Sequence, residues 1–253
     1  MKIETLTLHL RPRGSYEAMD LGVRLMQRNA RAVYLAWGAF VVPLCVAALT
    51  LHSIATWLPT LVIWWLKPLY DRIVLRVLSR TVFGEKVALR DISADWRAIL
   101  GNGLIWSLTF RRFDFARSFA LPVYFLEGLK GKHRRLRARL LQKHTRGDAV
   151  LLTVAYVHIE TALVLSLVML LVMLLPQTGA LPVWDWFMGN DQPAAFSLFT
   201  SALYVAAISL AEPFYVASGF TLYLNRRVDL EAWDIEMDLR RNLPAEALGE
   251  ANA

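Results

Sequence analysis

Residues 33–51 read VYLAWGAFVVPLCVAALTL, a stretch without a charged side chain. A helix needs about 20 predominantly apolar residues to cross a membrane core roughly 30 Å thick. This stretch meets the requirement, and so do residues 149–175 and 193–224. The sequence therefore predicts an all-α integral membrane protein, with these three stretches as its clearest spans.

The composition of the whole chain agrees with this fold class. Of 253 residues, 56% are hydrophobic and 19% are charged, whereas soluble domains usually have about a quarter charged residues. The charged residues are concentrated in blocks between the apolar stretches. The apolar content excludes a disordered chain, and the single cysteine, Cys45, excludes a disulfide framework.

A fourth span is predicted between the first two clear ones. Residues 33–66 are too few for two full crossings and a turn, so we expect span two to run past Leu66 through Lys67 and Pro68, over roughly residues 54–78. A short, tilted span that ends at Lys67 is the alternative.

Lysine and arginine indicate the orientation. Six precede residue 33, eighteen lie within residues 67–148 and four follow residue 224, which accounts for all 28. The turn near His52 and the loop 176–192 have none. Because positively charged loops stay in the cytoplasm, we predict four spans with both termini cytoplasmic.

This topology divides the chain into five segments. They are an amphipathic cytoplasmic segment (1–32), a transmembrane hairpin (33–80), a basic cytoplasmic or interfacial helical segment (81–148), spans three and four with their external loop (149–224), and an acidic cytoplasmic tail (225–253). The first segment predicts an amphipathic helix that lies on the inner membrane surface or packs on the protein's own core.

The stretch 67–148 is strongly basic, with eighteen basic and seven acidic residues and thus a net charge of +11. Its apolar parts, 99–110 and 118–129, are too short to cross, so we expect interfacial or re-entrant helices or a small helical domain. Its positive charges favour anionic lipid or a protein partner, and nucleic acid is disfavoured because the main run adjoins a span. The candidate docking residues are Arg111, Arg112, Lys130, Lys132, Arg134, Arg135, Arg137 and Arg139.

The tail has the opposite charge. After residue 224 there are four basic and seven acidic residues, a net charge of −3. Leu230, Trp233 and Met237 have helical spacing, so we expect a short amphipathic helix that docks on the basic segment.

Ionisable residues inside the predicted spans are candidates for function, because charge at membrane depth is costly. Glu160 and Glu212 lie near the middle of spans three and four, and Lys67 falls near mid-depth of span two. The pattern allows a proton or substrate site, or polar contacts that fix the helix register. The predicted intramembrane polar cluster contains Lys67, Asp71, Glu160, Glu212, Tyr156 and Tyr215.

Sequence motifs of catalysis are absent. The histidines are scattered, and the chain has no CxxC, P-loop, GxSxG or HExxH pattern. We therefore predict no catalytic residue, no metal site and no cofactor.

Three stretches carry a resemblance to a known group. They are RPRGSYEAMDLGVRLMQRN at 11–29, WWLKPLYDRIVLRVLSRTVFGE at 64–85 and EPFYVASGFTLYLNRRVDLEAWDIE at 212–236. They resemble bacterial multi-pass inner-membrane proteins often encoded beside MoxR-type AAA+ ATPases, von Willebrand factor A-like proteins and transglutaminase-like membrane proteins. The last stretch is also similar to the membrane domain of some glycerophosphodiester phosphodiesterases, but no hydrolase domain accompanies it, so that activity is not implied.

The resemblance implies an inner-membrane component that works with other proteins. We therefore expect a non-enzymatic scaffold or docking component for partner proteins and anionic lipid. The alternative is a small transporter, channel or lipid-moving protein that uses the mid-membrane carboxylates.

Overall fold

The structure is a computed structural model that describes residues 13–101, 103–129, 131–174 and 193–231. Every regular element in these ranges is helical, which confirms the all-α prediction. Three helical stretches are long and apolar enough to cross a membrane, and they match predicted spans one, three and four: Ala30–Ser53, Arg146–Leu171 and Ala194–Glu231. The external loop, Lys130 and the tail beyond Glu231 lie outside the described residues.

The elements follow in this order. The α-helices are α1 (Ser15–Arg28), α2 (Ala30–Ala36), α3 (Val42–Leu49), α4 (Leu58–Trp65), α5 (Lys67–Val82), α6 (Leu89–Ala94), α7 (Trp96–Leu100), α8 (Leu104–Leu108), α9 (Arg117–Phe125), α10 (Gly131–Gln142), α11 (Arg146–Leu174) and α12 (Ala194–Glu231). A π-helical turn (Trp37–Val41) joins α2 to α3, and 3-10 turns occupy Thr50–Ser53 and Phe110–Phe113.

Span one is continuous but changes its helical geometry on the way. The π-helical turn Trp37–Val41 comes directly before Pro43, which has no amide to donate to a carbonyl in the preceding turn. A wider turn accommodates that missing bond. The indole of Trp37 donates to Ser209 Oγ at 2.9 Å, so this turn also fixes span one against α12.

The predicted second span is not one continuous helix. Helix α4 ends at Trp65 and α5 begins at Lys67, because Pro68 has no amide for the carbonyl of Trp64 and its ring would clash with that carbonyl. Helix α5 is buried along most of its length, so it is a core helix. Span two thus differs from its prediction, and the count of four spans is a proposal.

Helix α12 lies at the centre of the structure and contacts α1, α5, α9 and α11. Two glycines allow the closest approaches. A Cβ added to Gly22 of α1 would lie 2.6 Å from the backbone nitrogen of Ser218, and one added to Gly219 would lie 2.7 Å from the carbonyl carbon of Ser118 in α9. Helix α1 therefore packs on the protein's own core, which is one of the two arrangements expected for it.

The two short apolar stretches of the basic segment differ from each other. Helix α9 (Arg117–Phe125), which overlaps the stretch 118–129, is buried against α12. The region from α8 to the start of α9 instead exposes large apolar side chains: Ile105, Trp106, Phe110, Phe113 and Phe115.

Candidate functional site

A cluster of buried charges lies where α5, α9, α11 and α12 meet. Lys67 Nζ is 2.5 Å from Glu160 Oε2 and 3.0 Å from Glu212 Oε2. Lys67 is the first residue of α5, so the helix break at Pro68 sets the position of its ammonium group. The structure therefore brings together the three charged side chains that the sequence places at similar depth in different spans.

Arg117 joins this cluster from α9. Its Nη2 donates to Glu212 Oε1 at 2.7 Å, and its Nε is 3.8 Å from Asp71 Oδ2. Burial lowers the pKa of Arg117, but the carboxylates of Asp71 and Glu212 raise it above its ordinary value, so this residue stays charged. We call Lys67, Asp71, Arg117, Glu160 and Glu212 the central charged cluster.

The sequence did not indicate Arg117 as a site residue. It stands in FRRFDFARS, a short polar segment between two apolar stretches, and lies outside the predicted spans. Its partner Glu212 lies in the last span, so only the tertiary fold brings the two groups together.

Hydroxyl groups line the same cavity as the carboxylates of Glu160 and Glu212, as expected for tyrosines on the same helix faces. Tyr215 OH and Thr153 Oγ1 are 2.8 Å apart, and Tyr156 OH is 3.5 Å from Ser218 Oγ. The rings of Tyr156 and Tyr215 lie 5.5 Å apart. Both predicted tyrosines therefore form part of the wall around the cluster.

The central charged cluster encloses little space. The cavity lined by Lys67, Glu160 and Glu212, with Arg117 and Tyr215, has a volume of about 20 Å³. A single water molecule needs about 10–15 Å³ by this measure. The arrangement therefore consists of paired charges around a space for about one water molecule, which is too small for an organic substrate.

Arg112 was predicted to dock lipid or a partner, but the structure places it inside. It is buried, and it donates to the carbonyls of Trp64 at 2.5 Å and Trp65 at 3.1 Å. Its guanidinium also lies 3.4 Å from the centre of the Trp64 ring. Burial lowers its pKa to about 10, so it remains protonated at neutral pH and caps the carbonyls at the end of α4.

Replacing Arg112 with lysine tests how much this cap contributes to the stability of the protein. Lysine keeps the charge but cannot donate to both carbonyls from one planar group or stack in the same way. We expect Arg112→Lys to destabilise the protein by about 1–3 kcal/mol, measured as a lower thermal midpoint in detergent. Arg90→Lys is the matched control, because Arg90 is exposed; equal midpoints for both variants would contradict the capping role.

Arg72 has a similar role that the sequence did not indicate. It is fully buried and donates to the carbonyls of Ile99 at 2.9 Å and Gly101 at 2.8 Å, and to Ser107 Oγ at 3.0 Å. These acceptors lie at the end of α7 and in α8. A positive charge at the end of a short helix is favourable, so Arg72 connects α5 to the basic segment.

The other predicted docking residues fall into three groups. Arg137 forms ion pairs with Glu127, at 3.1 Å, and with Glu231. Lys132, Arg135 and Arg139 are exposed on α10, and the described part of the chain shows no ion pair for them. Arg111 and Arg134 both lie against the ring of Tyr124.

Comparisons of the chain with protein-family models, with curated proteins and with solved structures find no match. Among the described residues, no three His, Cys, Asp or Glu side chains are grouped in a way that could hold a metal ion.

Proposed function

We propose that the protein is a non-enzymatic component of the bacterial inner membrane, a scaffold that docks partner proteins and anionic lipid on its cytoplasmic face. The observation that carries this proposal is the central charged cluster. Its carboxylates are paired with Lys67 and Arg117 around a cavity of water size, as in a structural contact between helices. The exposed charges of α10 supply the docking surface.

The proposed topology has four crossings with both termini in the cytoplasm. At about 1.5 Å per residue, α4 extends about 12 Å and α5 about 24 Å, so together they can return the chain across a core of about 30 Å. The absence of Lys and Arg near His52 and in 176–192 supports the same orientation. On this topology α10 and the end of α12 are cytoplasmic.

Partner docking is tested by crosslinking in native membranes and purification. Replacing Lys132, Arg135 and Arg139 with glutamine removes three exposed charges from α10 and should reduce recovery of a stoichiometric partner by about tenfold or more. The matched control replaces Lys86, Arg90 and Arg97, which are equally exposed, and should retain the partner. Equal recovery from both variants would contradict docking through α10.

The alternative function is a small transporter, channel or lipid-moving protein. The observation in its favour is that Glu160 and Glu212 share a cavity with room for water, because carboxylates beside water can transfer protons. Glu160→Gln separates the two functions. Flux or lipid movement by the purified protein in liposomes that this variant abolishes supports transport, whereas unchanged partner recovery without any flux supports the scaffold.

A further inference from the structure

The region from α8 to the start of α9 has an unusual surface. Phe110 is 75% exposed and Phe113 is 69% exposed, and Ile105, Trp106 and Phe115 are also exposed. Trp106 and Phe110 are also in contact, with their ring centres 5.1 Å apart. Large apolar side chains exposed in one segment are unfavourable in water and mark a surface for lipid or another molecule. Arginine and aromatic residues alternate here, a composition typical of segments at the membrane interface.

Two arginines converge on one aromatic ring beside this surface. The guanidinium carbon of Arg111 is 3.8 Å from the centre of the Tyr124 ring, and that of Arg134 is 5.5 Å from the same point. Arg111 comes from the turn after α8 and Arg134 from α10, so the fold brings two like charges together. Their repulsion is relieved when an anion lies between them.

Each arginine of this pair has a nitrogen without an acceptor among the described residues. Arg111 Nη1 and Arg134 Nε are buried and have no hydrogen-bond partner within the described ranges. Buried N–H groups without an acceptor are costly. Arg111 also interacts with Arg135 and Asp114, and Asp114 Oδ1 accepts the amide of Ala116 at 3.1 Å.

The cavity beside Arg111 is too small for a phospholipid headgroup. It has a volume of about 30 Å³ and is also lined by Asp71, Asp114 and Arg117. That space suits one or two water molecules. A lipid phosphate that reaches both guanidinium groups must therefore bind outside this cavity.

We propose that Arg111 and Arg134 bind the phosphate of an anionic phospholipid, whose acyl chains lie against Phe110, Phe113 and the other exposed apolar side chains of this region. Phosphate oxygens satisfy several guanidinium N–H groups at once, and the neighbouring apolar surface favours a lipid over free phosphate. The site rests on the proposed function in one respect, since it requires this segment to face the cytoplasmic leaflet.

Native mass spectrometry of the purified full chain tests the site. Micelles would contain phosphatidylglycerol or phosphatidylcholine, and the occupancy of each lipid would be counted. We expect the native chain to retain phosphatidylglycerol preferentially, and the double variant Arg111→Gln with Arg134→Gln to lose about tenfold or more of that preference. Arg90→Gln, a change of an exposed arginine on α6, should leave it unchanged.

A second double variant keeps the test valid if the glutamine variant does not fold. Lysine at both positions keeps the charge but not the planar fork, so the preference should fall by about threefold or more. Unchanged preference in the variants that fold, or displacement of the lipid by inorganic phosphate at equal concentration, would overturn the site. Because purified protein is used without a partner, this result is independent of the crosslinking test of docking.

Discussion

Lys67→Met is expected to destabilise the protein by about 3–5 kcal/mol, the cost of leaving a buried charge without its partner. The substitution removes the ammonium group that contacts both Glu160 and Glu212. Arg117 would still pair with Glu212, so Glu160 becomes the stranded carboxylate. The measurement is the free energy of unfolding in mixed micelles, or the thermal midpoint where unfolding is irreversible.

Lys86→Met is the matched control, because it removes the same group from an exposed position and should change stability by less than about 0.5 kcal/mol. Glu160→Gln added to Lys67→Met should recover part of the loss, because it removes the stranded charge. A double variant whose loss equals the sum of the two single losses would show that the pair is not coupled. A loss no greater than that of the control would contradict the buried ion pairs.

The second large effect is expected at the glycine contacts of α12. Gly22→Ala and Gly219→Ala each place a methyl group within 2.7 Å of backbone atoms in a neighbouring helix. Backbone cannot move aside as a flexible side chain can, so each change should cost about 1–3 kcal/mol or more. Thermal midpoints of the purified variants, in one detergent, provide the measurement.

Gly147→Ala is a control for which the expected change in stability has the opposite sign. Gly147 lies in the first turn of α11, and an added Cβ meets nothing within 4 Å. Alanine has the higher helix propensity, so Gly147→Ala should be neutral or stabilising by up to about 1 kcal/mol. If all three alanine variants behave alike, the close approach of α1 and α9 to α12 is wrong.

Much of the fold follows from the sequence because three apolar stretches have a length that only a membrane requires. The helix break within the predicted second span does not follow from apolar length. Hydropathy values contain almost no information on backbone hydrogen bonds. Pro68 cannot donate such a bond, and the segment is divided at Leu66. The same average hydropathy is compatible with one lipid-facing helix or with a short helix followed by a buried one.

The candidate site was predictable only in part. Lys67, Glu160 and Glu212 were indicated because each is a rare charge in an apolar helix. Arg117 was missed because it comes from outside the spans. Arg112 stands in a basic segment, so the sequence favours a docking role for it. Only the fold shows that the carbonyls of Trp64 and Trp65 are its acceptors.

The long sequence separation between Lys67 and its partners constrains biosynthesis. Glu160 follows Lys67 by 93 residues, and Glu212 emerges from the ribosome later still. A nascent chain that has completed α5 therefore presents a lysine with neither counterion, a state that lipid alone tolerates poorly. We therefore expect shortened chains that lack α12 to be degraded rather than to accumulate as a stable half.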